Sequence, residues 1–459
     1  SYSEDLFNSY GKFDFVMANP PFNVKEVNED TVKKDRRFTE YGLPKSKSKT
    51  KKGGVINIPN GNYLWISLFA TTLNETGRAA LVMANSASDA GHSEYDIRKT
   101  LVRKGLISGM LTLPGNMFST VTLPATLWFF DKSKSIEDFE KGKDKIEILF
   151  VDARNVYHQV DRAHREFTFE QLQNLAAIQR LRKGDRKFFI ELVNSHYAGA
   201  AERMPVLKNF LESAAIKLQE QISGFLEWTK KRKPANGLSE VIEKENFFVK
   251  LESLKVINIE PVKERIDGWL EFYNGFNGIP ASDKYDEVNI KQHEFLKLSE
   301  EMLRDYLHLK KELEKDYREY ERLFRLAEDN FRNKDDKEWK GLSRPKEVRQ
   351  ILDRLNEYSN PVKNNNYEEE EKSPVYFLKM AEWLQQRFPK AEYEDVTGLC
   401  KLAHIENIEE QDYSLNPGRY VGVVIDEDGM TNEEFEGKIK DWIAELNKLT
   451  KEAIKNSEL

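Results

Sequence analysis

Cysteine is almost absent from this sequence, and so are long apolar runs. Cys400 is the single cysteine among 459 residues, which excludes an internal disulfide and is typical of a reducing compartment. No stretch approaches the roughly 18 consecutive apolar residues of a membrane-spanning helix. A Walker loop, a zinc-ligand pattern and a nucleophile elbow are also missing from the sequence. These absences predict a soluble, cytoplasmic protein with no membrane partner.

Acidic residues slightly outnumber basic ones overall, but positive charge is concentrated in one segment. The chain carries a net charge of -7 at neutral pH, whereas residues 33–52 contain nine Lys or Arg against two acidic residues, a net +7. The remainder therefore carries about -14. A basic segment on an acidic protein predicts contact with a polyanion at one place. A flexible, solvated linker has the same composition, so the charge alone favours neither. The candidate polyanion-binding residues are Lys45, Lys47, Lys49, Lys51 and Lys52.

Strand-like and helical segments alternate over the first 155 residues. Helices are predicted at 63–77 and 93–105, each closed by a C-terminal glycine. Short loops between alternating elements predict a doubly wound, Rossmann-like α/β sheet. The last strands have no helix between them, so part of their pairing is expected to be antiparallel. Strands are predicted at residues 13–17, 78–85, 106–114, 126–132 and 145–154.

The remainder of the chain is predicted to be mainly helical. From Phe295 onward, apolar residues follow steps of 3, 4 and 4 that repeat every eleven residues, which predicts a long helix with little left-handed supercoil. A C-terminal helix at 432–456 has one apolar stripe, which can dock on the chain's own core or on a partner helix. The expected organisation is a partial catalytic domain, a helical region, a linker and a C-terminal segment, at residues 1–165, 166–358, 359–374 and 375–459.

The tetrad Asn19, Pro20, Pro21 and Phe22 follows the first predicted strand, whose apolar residues are typical of a strand buried in a parallel sheet. An Asn side-chain oxygen and a neighbouring backbone carbonyl can accept both hydrogens of a planar amino group, which frees the nitrogen lone pair for attack on a sulfonium methyl. The two prolines would hold that carbonyl in place at little entropic cost. Phe22 offers a ring on which an extruded base can stack. The alternative interpretation is a turn that only ends the strand.

The stretch ANPPF resembles the signature of amino-group methyltransferases that use S-adenosyl-L-methionine. The sequence around it resembles one branch in particular, the modification subunit of type I restriction–modification systems. The order of the matching stretches along the chain is also that of the family. They comprise residues 62–85, 93–134, 150–168 and 393–423.

The resemblance implies a class I methyltransferase sheet and the formation of N6-methyladenine in double-stranded DNA. It implies that Asn19 binds the adenine amino group and borders the cofactor, that the Pro20 backbone is the second acceptor, and that Phe22 stacks on the base. The basic segment would then contact DNA. The implied partners are a specificity subunit, a second modification subunit and a restriction subunit, with the C-terminal part contacting the specificity subunit.

One element of the family pattern is missing. A glycine-rich turn that holds the cofactor precedes the tetrad in the family, but none of the residues before Asn19 forms such a turn. We therefore expect a chain that begins in mid-domain, with an exposed apolar sheet edge and no cofactor binding on its own. Two other functions stay open: a non-catalytic assembly or DNA-binding fragment, and a protein glutamine-N5 methyltransferase.

A few other polar residues are weaker site candidates. His158 and His164 lack a cysteine or a paired carboxylate at metal-ligand spacing, so structural roles are favoured. Asp89 and His92 follow a predicted strand and are candidates for the wall of a substrate cleft. The stretch NPGRY at 416–420 is interpreted as a turn before an edge strand.

Overall fold

A computed structural model describes most of the chain. The described residues are 4–45, 57–118, 124–133, 146–231, 246–254, 257–275, 284–331, 338–339, 345–359 and 372–423, with a few positions between 439 and 450. Among them, no helix is both long enough and apolar enough to cross a membrane.

A six-stranded mixed sheet forms the N-terminal half of the fold, in the order β1-β4-β6-β5-β7-β10. Four strands share one direction, because β1 is parallel to β4, β5 is parallel to β7, and β6 runs antiparallel between β4 and β5. The predicted α/β sheet is therefore confirmed, and so is the antiparallel pairing near its end. Its strands are β1 (Phe13–Ala18), β4 (Leu73–Ala84), β5 (Ile107–Thr112), β6 (Ala125–Asp131), β7 (Glu147–Asp152) and β10 (Cys400–His404).

Two short ladders and several helices flank this sheet. The ladders pair β2 (Val27–Asn28) with β3 (Asn57–Ile58), and β8 (His158–Gln159) with β9 (Arg165–Glu166). The helices of the N-terminal part are α1 (Glu29–Val32), α2 (Arg36–Thr39), α3 (Asn62–Thr72) and α4 (Ser93–Arg103). Those that follow are α5 (Phe169–Arg182), α6 (Arg186–Lys230), α7 (Phe247–Ser253), α8 (Glu260–Gly275), α9 (Tyr285–Phe331), α10 (Pro345–Ser359), α11 (Pro374–Arg387) and α12 (Ile405–Glu410).

The prediction that a helix runs from 63 to 77 was wrong at its end. The helix stops at Thr72, and Gly77 lies inside β4 rather than after the helix. A Cβ atom on Gly77 would lie 2.7 Å from the carbonyl oxygen of Phe13. Glycine is therefore needed here for the close approach of β1 to β4, where the register between the two strands shifts.

The prediction that the first strand is buried was also wrong. β1 is the edge strand of the sheet, and Phe15 and Met17 expose 75% and 88% of their surface. Its other face packs inward through Val16 and Ala18, which contact the core formed by Trp128 and its neighbours. Apolar composition identified the strand correctly, but composition cannot distinguish a central strand from an edge strand.

The helical region packs on the far end of the sheet. α5 begins with a capping box, in which Thr168 and Gln171 bond each other's backbone N–H groups. One continuous core includes Leu149, Val151 and Cys400 of the sheet together with the inner faces of α5, α6, α9 and α11. The long helix predicted from Phe295 is confirmed as part of α9, whose apolar stripe is buried except at Leu298.

A buried ion pair joins the two chain segments that enter and leave the helical region. The Lys372 ammonium donates to both carboxylate oxygens of Glu170, at 2.7 and 2.9 Å, and Tyr376 donates to the same carboxylate at 2.8 Å. Glu170 and Lys372 are both buried. The first turn of α5 is thereby fixed to the start of α11, although residues 360–371, most of the predicted linker, lie outside the described part of the chain.

Candidate active site

The tetrad lies at the carboxyl edge of the sheet. Because β1, β4, β5 and β7 are parallel, the residues that follow them meet along one edge, and ligands of open α/β sheets bind at this edge. The polar residues there are Asn19 after β1, Asn85 after β4, and Asp152 at the end of β7. Asn19 and Asn85 follow neighbouring strands, whose spacing is about 4.8 Å.

In the tetrad the Asn19 side chain is accessible, and the backbone that follows it is held in place. Asn19 is exposed, Pro20 is buried and Phe22 is half-buried. The next residue, Asn23, adopts a left-handed conformation with φ of 54° and accepts hydrogen bonds from the side-chain amides of Asn60 and Asn62. The chain is therefore anchored to the start of α3 immediately after the tetrad, while the Asn19 side chain remains accessible to a ligand.

Asp89 anchors a distant segment to this edge. It lies in the 3₁₀ turn that follows β4, and its carboxylate accepts hydrogen bonds from the Ser414 hydroxyl and, at 3.1 Å, from the Asn416 amide. The backbone N–H of Leu415 also donates to the carbonyl of Ser88 at 2.9 Å. Asp89 therefore holds the segment 414–419 in place, a role that its position in the sequence did not suggest. His92 is exposed.

The NPGRY stretch forms a turn over the edge and not the start of a strand. Pro417–Arg419 form a 3₁₀ turn, and residues 420–423 belong to no strand. The Tyr420 ring stacks on Phe150 with centroids 3.8 Å apart. The buried Arg98 donates to the carbonyl of Tyr413 at 2.6 Å. Sequence patterns missed this contact because residues more than 300 positions apart must meet to form it.

A second arginine lies beneath the same turn. Arg154 donates through Nε and Nη2 to the carboxylate of Asp152, with distances from 2.6 to 3.0 Å. A Cβ atom on Gly418 would approach Nη2 of Arg154 to 3.3 Å, so the turn lies directly against this guanidinium. The carboxyl edge is thus built from the first strand, the central strands and a segment near the end of the described chain.

Comparison with known proteins assigns this chain to a family. A sequence model described as N-6 DNA Methylase matches residues 1–202 and 331–429. The chain belongs to the N-6 DNA methylase family. The match omits residues 203–330, which comprise most of α6, α7, α8 and nearly all of α9.

The relatives of this N-6 DNA methylase chain are methylase subunits. It is 37% identical over 175 residues to the type I restriction enzyme MjaIX methylase subunit of Methanocaldococcus jannaschii, covering 38% of this chain and 29% of that protein. It is 35% identical over 166 residues to the HindI methylase subunit of Haemophilus influenzae, covering 36% of this chain and 33% of that protein. The matched part thus spans about a third of the length of these relatives, and the predicted resemblance is confirmed.

Solved structures of the same class show a weaker likeness. The type I methyltransferase subunit from Streptococcus thermophilus is 19% identical, with a TM-score of 0.31, and the alignment covers 38% of this chain and 34% of that one. The family assignment therefore rests on the sequence match.

The cofactor that the family implies fits the described residues only in part. Asn19 would border S-adenosyl-L-methionine, but the described residues next to β1 include no strand, glycine-rich turn and helix that could hold its nucleoside. A groove of about 410 Å³ does lie beside β1. It is lined mainly by apolar side chains such as Phe7, Phe15 and Phe69, together with Glu4 and Asp5. Asp5 already accepts the backbone N–H of Ser9 and pairs with Arg37, and the apolar part does not fit a ribose.

The remaining candidate residues fall into two groups. Lys45 is exposed, whereas Lys47, Lys49, Lys51 and Lys52 lie outside the described part of the chain. His158 is buried, and burial lowers its pKa. No cluster of His, Cys, Asp and Glu suited to a metal ion occurs among the described residues.

Proposed function

We propose that this chain acts as the modification subunit of a type I restriction–modification system and methylates the N6 nitrogen of adenine in double-stranded DNA. The observation that carries the proposal is the accessible Asn19 amide at the carboxyl end of β1, within an Asn-Pro-Pro-Phe tetrad of an N-6 DNA methylase family member. S-adenosyl-L-methionine is the methyl donor that this family implies.

The role of the tetrad follows from the chemistry of the adenine amino group. Its nitrogen lone pair is delocalised into the ring, so the group is a poor nucleophile. In the proposed mechanism the Asn19 side-chain oxygen and the Pro20 carbonyl accept the two amino hydrogens, which favours a tetrahedral nitrogen. Phe22 provides a stacking surface for the flipped base, a contact worth about 1–3 kcal/mol.

Assembly with other subunits is part of the same proposal. A specificity subunit would read the DNA sequence, and a second modification subunit and a restriction subunit would complete the complex. The C-terminal helical positions support a contact with a partner, because their apolar residues are exposed on one stripe. These residues are Ile439, Trp442, Ile443, Leu446 and Leu449. The basic segment 33–52, of which Lys45 is the last described lysine, is proposed to contact DNA phosphates.

A second candidate function is that of a non-catalytic fragment which binds DNA and assembles with partners. The observation that favours it is the lack of a nucleoside-binding turn among the described residues. A protein glutamine-N5 methyltransferase is less well supported, because the matching family comprises DNA methylases.

Asn19→Ala tests the catalytic proposal in the complex reconstituted with a specificity subunit. The expected result is a loss of at least about 100-fold in adenine methylation with unchanged assembly, because one hydrogen-bond acceptor for the amino group is removed without any loss of core packing. Asn209→Ala makes the same chemical change at an exposed position in α6 and should methylate normally. Methylation of the Asn19 variant at a near-normal rate would remove Asn19 from the mechanism.

A further inference from the structure

Two exposed arginine side chains at the carboxyl edge lie outside the tetrad. The side chains of Arg154 and Arg419 are 56% and 51% exposed. Each lies beside an aspartate at the carboxyl edge, since Arg154 bonds Asp152 at the end of β7 and the Nε atom of Arg419 lies 3.5 Å from Asp89 in the turn after β4. Gly418, the residue before Arg419, lies against Arg154, so the 417–419 turn joins the two arginines along this edge.

The turn does not need Arg419 for its attachment. Ser414, Leu415 and Asn416 already bond the 3₁₀ turn after β4, and Tyr420 stacks on Phe150. The contact of Arg419 with Asp89 is longer than a hydrogen bond. An exposed ion pair of this kind contributes about 0–1 kcal/mol to stability. Turn stability therefore gives little reason for an arginine at this position.

The arrangement suits a ligand that accepts hydrogen bonds in a plane. Arg154 uses Nε and Nη2 on Asp152, which leaves its Nη1 edge for another partner. A guanidinium has five donors in a rigid fork and binds phosphate oxygens in this geometry. Because Asp152 orients the Arg154 fork before any ligand arrives, little entropy of this side chain remains to be lost on binding.

We infer that Arg154 and Arg419 form a phosphate-binding pair for the DNA backbone. This inference rests on the proposed function. Asp152, which holds Arg154, ends β7, and four strand spacings separate β1 from β7, about 19 Å at 4.8 Å per spacing. Arg154 therefore contacts a phosphate that flanks the target nucleotide, at a distance beyond the roughly 12 Å width of a major groove. Arg419 pairs with Asp89 in the turn after β4, the strand next to β1, and contacts a different phosphate; both arginines position the duplex without touching the reacting atoms.

The test compares Arg154→Gln and Arg419→Gln with Arg103→Gln in the full chain. Arg103 is a matched control, because its side chain is also 56% exposed and pairs with a carboxylate, Glu409. It lies at the end of α4, on the opposite edge of the sheet. The ligand is a 30-base-pair duplex of arbitrary sequence, and its affinity is measured by fluorescence anisotropy at several salt concentrations.

Each edge variant is expected to weaken binding about tenfold for every sequence, as the loss of a charge-assisted hydrogen bond predicts. The slope of log K against log salt should fall by about 1. Arg103→Gln should bind like the wild type, and Arg419→Gln should keep its thermal unfolding midpoint. Unchanged affinity in both edge variants, or no salt-dependent binding by the wild-type chain, overturns the inference.

Methylation by the reconstituted complex separates the two proposals. The arginine variants should retain the wild-type kcat at saturating DNA with a raised KM, because they act on binding alone. A wild-type complex that binds DNA but does not methylate adenine would refute the proposed function and leave the phosphate pair intact. Reduced kcat with unchanged DNA affinity would refute the phosphate pair.

Discussion

The two ends of the sheet differ in what covers them. One row of paired residues crosses the sheet on a single face, from Met17 on β1 through Ala80, Phe129 and Gly109 to Leu149 on β7. Exposure along this row falls from 88% at Met17 to 4% at Leu149. The helical region packs on Leu149, whereas nothing among the described residues covers Met17. The opposite face is buried from β4 to β7.

This difference separates two parts of the candidate site. Arg154 lies at the covered end, where Asp152 at the end of β7 fixes its side chain, and the 414–420 turn that carries Arg419 packs against it. Asn19 lies at the bare end, where the backbone is fixed only on the side toward α3. An edge strand with large exposed apolar residues also favours pairing or self-association. The chemistry is thus proposed at the less enclosed end.

The largest expected effect concerns the methyl donor. We predict that the isolated chain, without its partner subunits, does not bind S-adenosyl-L-methionine measurably, because the described residues of the bare end offer Asn19 but no glycine-rich turn for the nucleoside. Several missing hydrogen bonds at about 0.5–1.5 kcal/mol each move a micromolar site out of range. Isothermal titration calorimetry measures this directly. Stoichiometric binding at low micromolar concentration would show that the bare end is a complete pocket.

A smaller effect is expected on the free energy of unfolding when the side chains at the two ends of this row, Leu149 and Met17, are truncated. Leu149→Ala is expected to lower the free energy of unfolding by about 2–4 kcal/mol, because it leaves a cavity under the helical region. Met17→Ala is its matched partner on the same row and should change stability by less than about 0.5 kcal/mol. Urea unfolding followed by circular dichroism measures both. Equal costs would mean that Met17 is covered in solution.

Local rules predicted much of this fold, and distant contacts limited the rest. Gly105 closes α4 with a positive φ of 64°, as its local pattern indicated. The prediction that Gly77 ends a helix failed, because this glycine is required by the close approach of Phe13 on another strand. The tetrad was recognisable because its four residues are consecutive. The contact between Asp89 and Arg419 could not be recognised from the sequence, because 330 positions separate the two residues.

The smallest expected effect is a pH dependence of the free energy of unfolding, which arises from a buried histidine at the covered end. His196 is buried in α6 and shares a hydrogen bond of 2.8 Å with Asn174, whose amide donates to the Met380 carbonyl. Asn174 therefore accepts from Nε2 of a neutral imidazole. Burial lowers the pKa of His196 to about 4, whereas the unfolded chain has a His pKa of about 6.5.

The sign of this effect follows from proton binding. Between these two pKa values the unfolded chain binds one more proton than the folded chain, so stability falls as the pH is lowered. We expect a loss of about 2 kcal/mol between pH 7 and pH 5, measured by urea unfolding at each pH. Burial is the largest influence on Glu170 and raises its pKa, but the hydrogen bonds from Lys372, Tyr376 and the backbone, with the charge of Lys372, together lower the net pKa. The stability that Glu170 contributes is therefore lost only below this range. His196→Gln should flatten the dependence between pH 7 and pH 5. The same slope in the variant would mean that another group titrates.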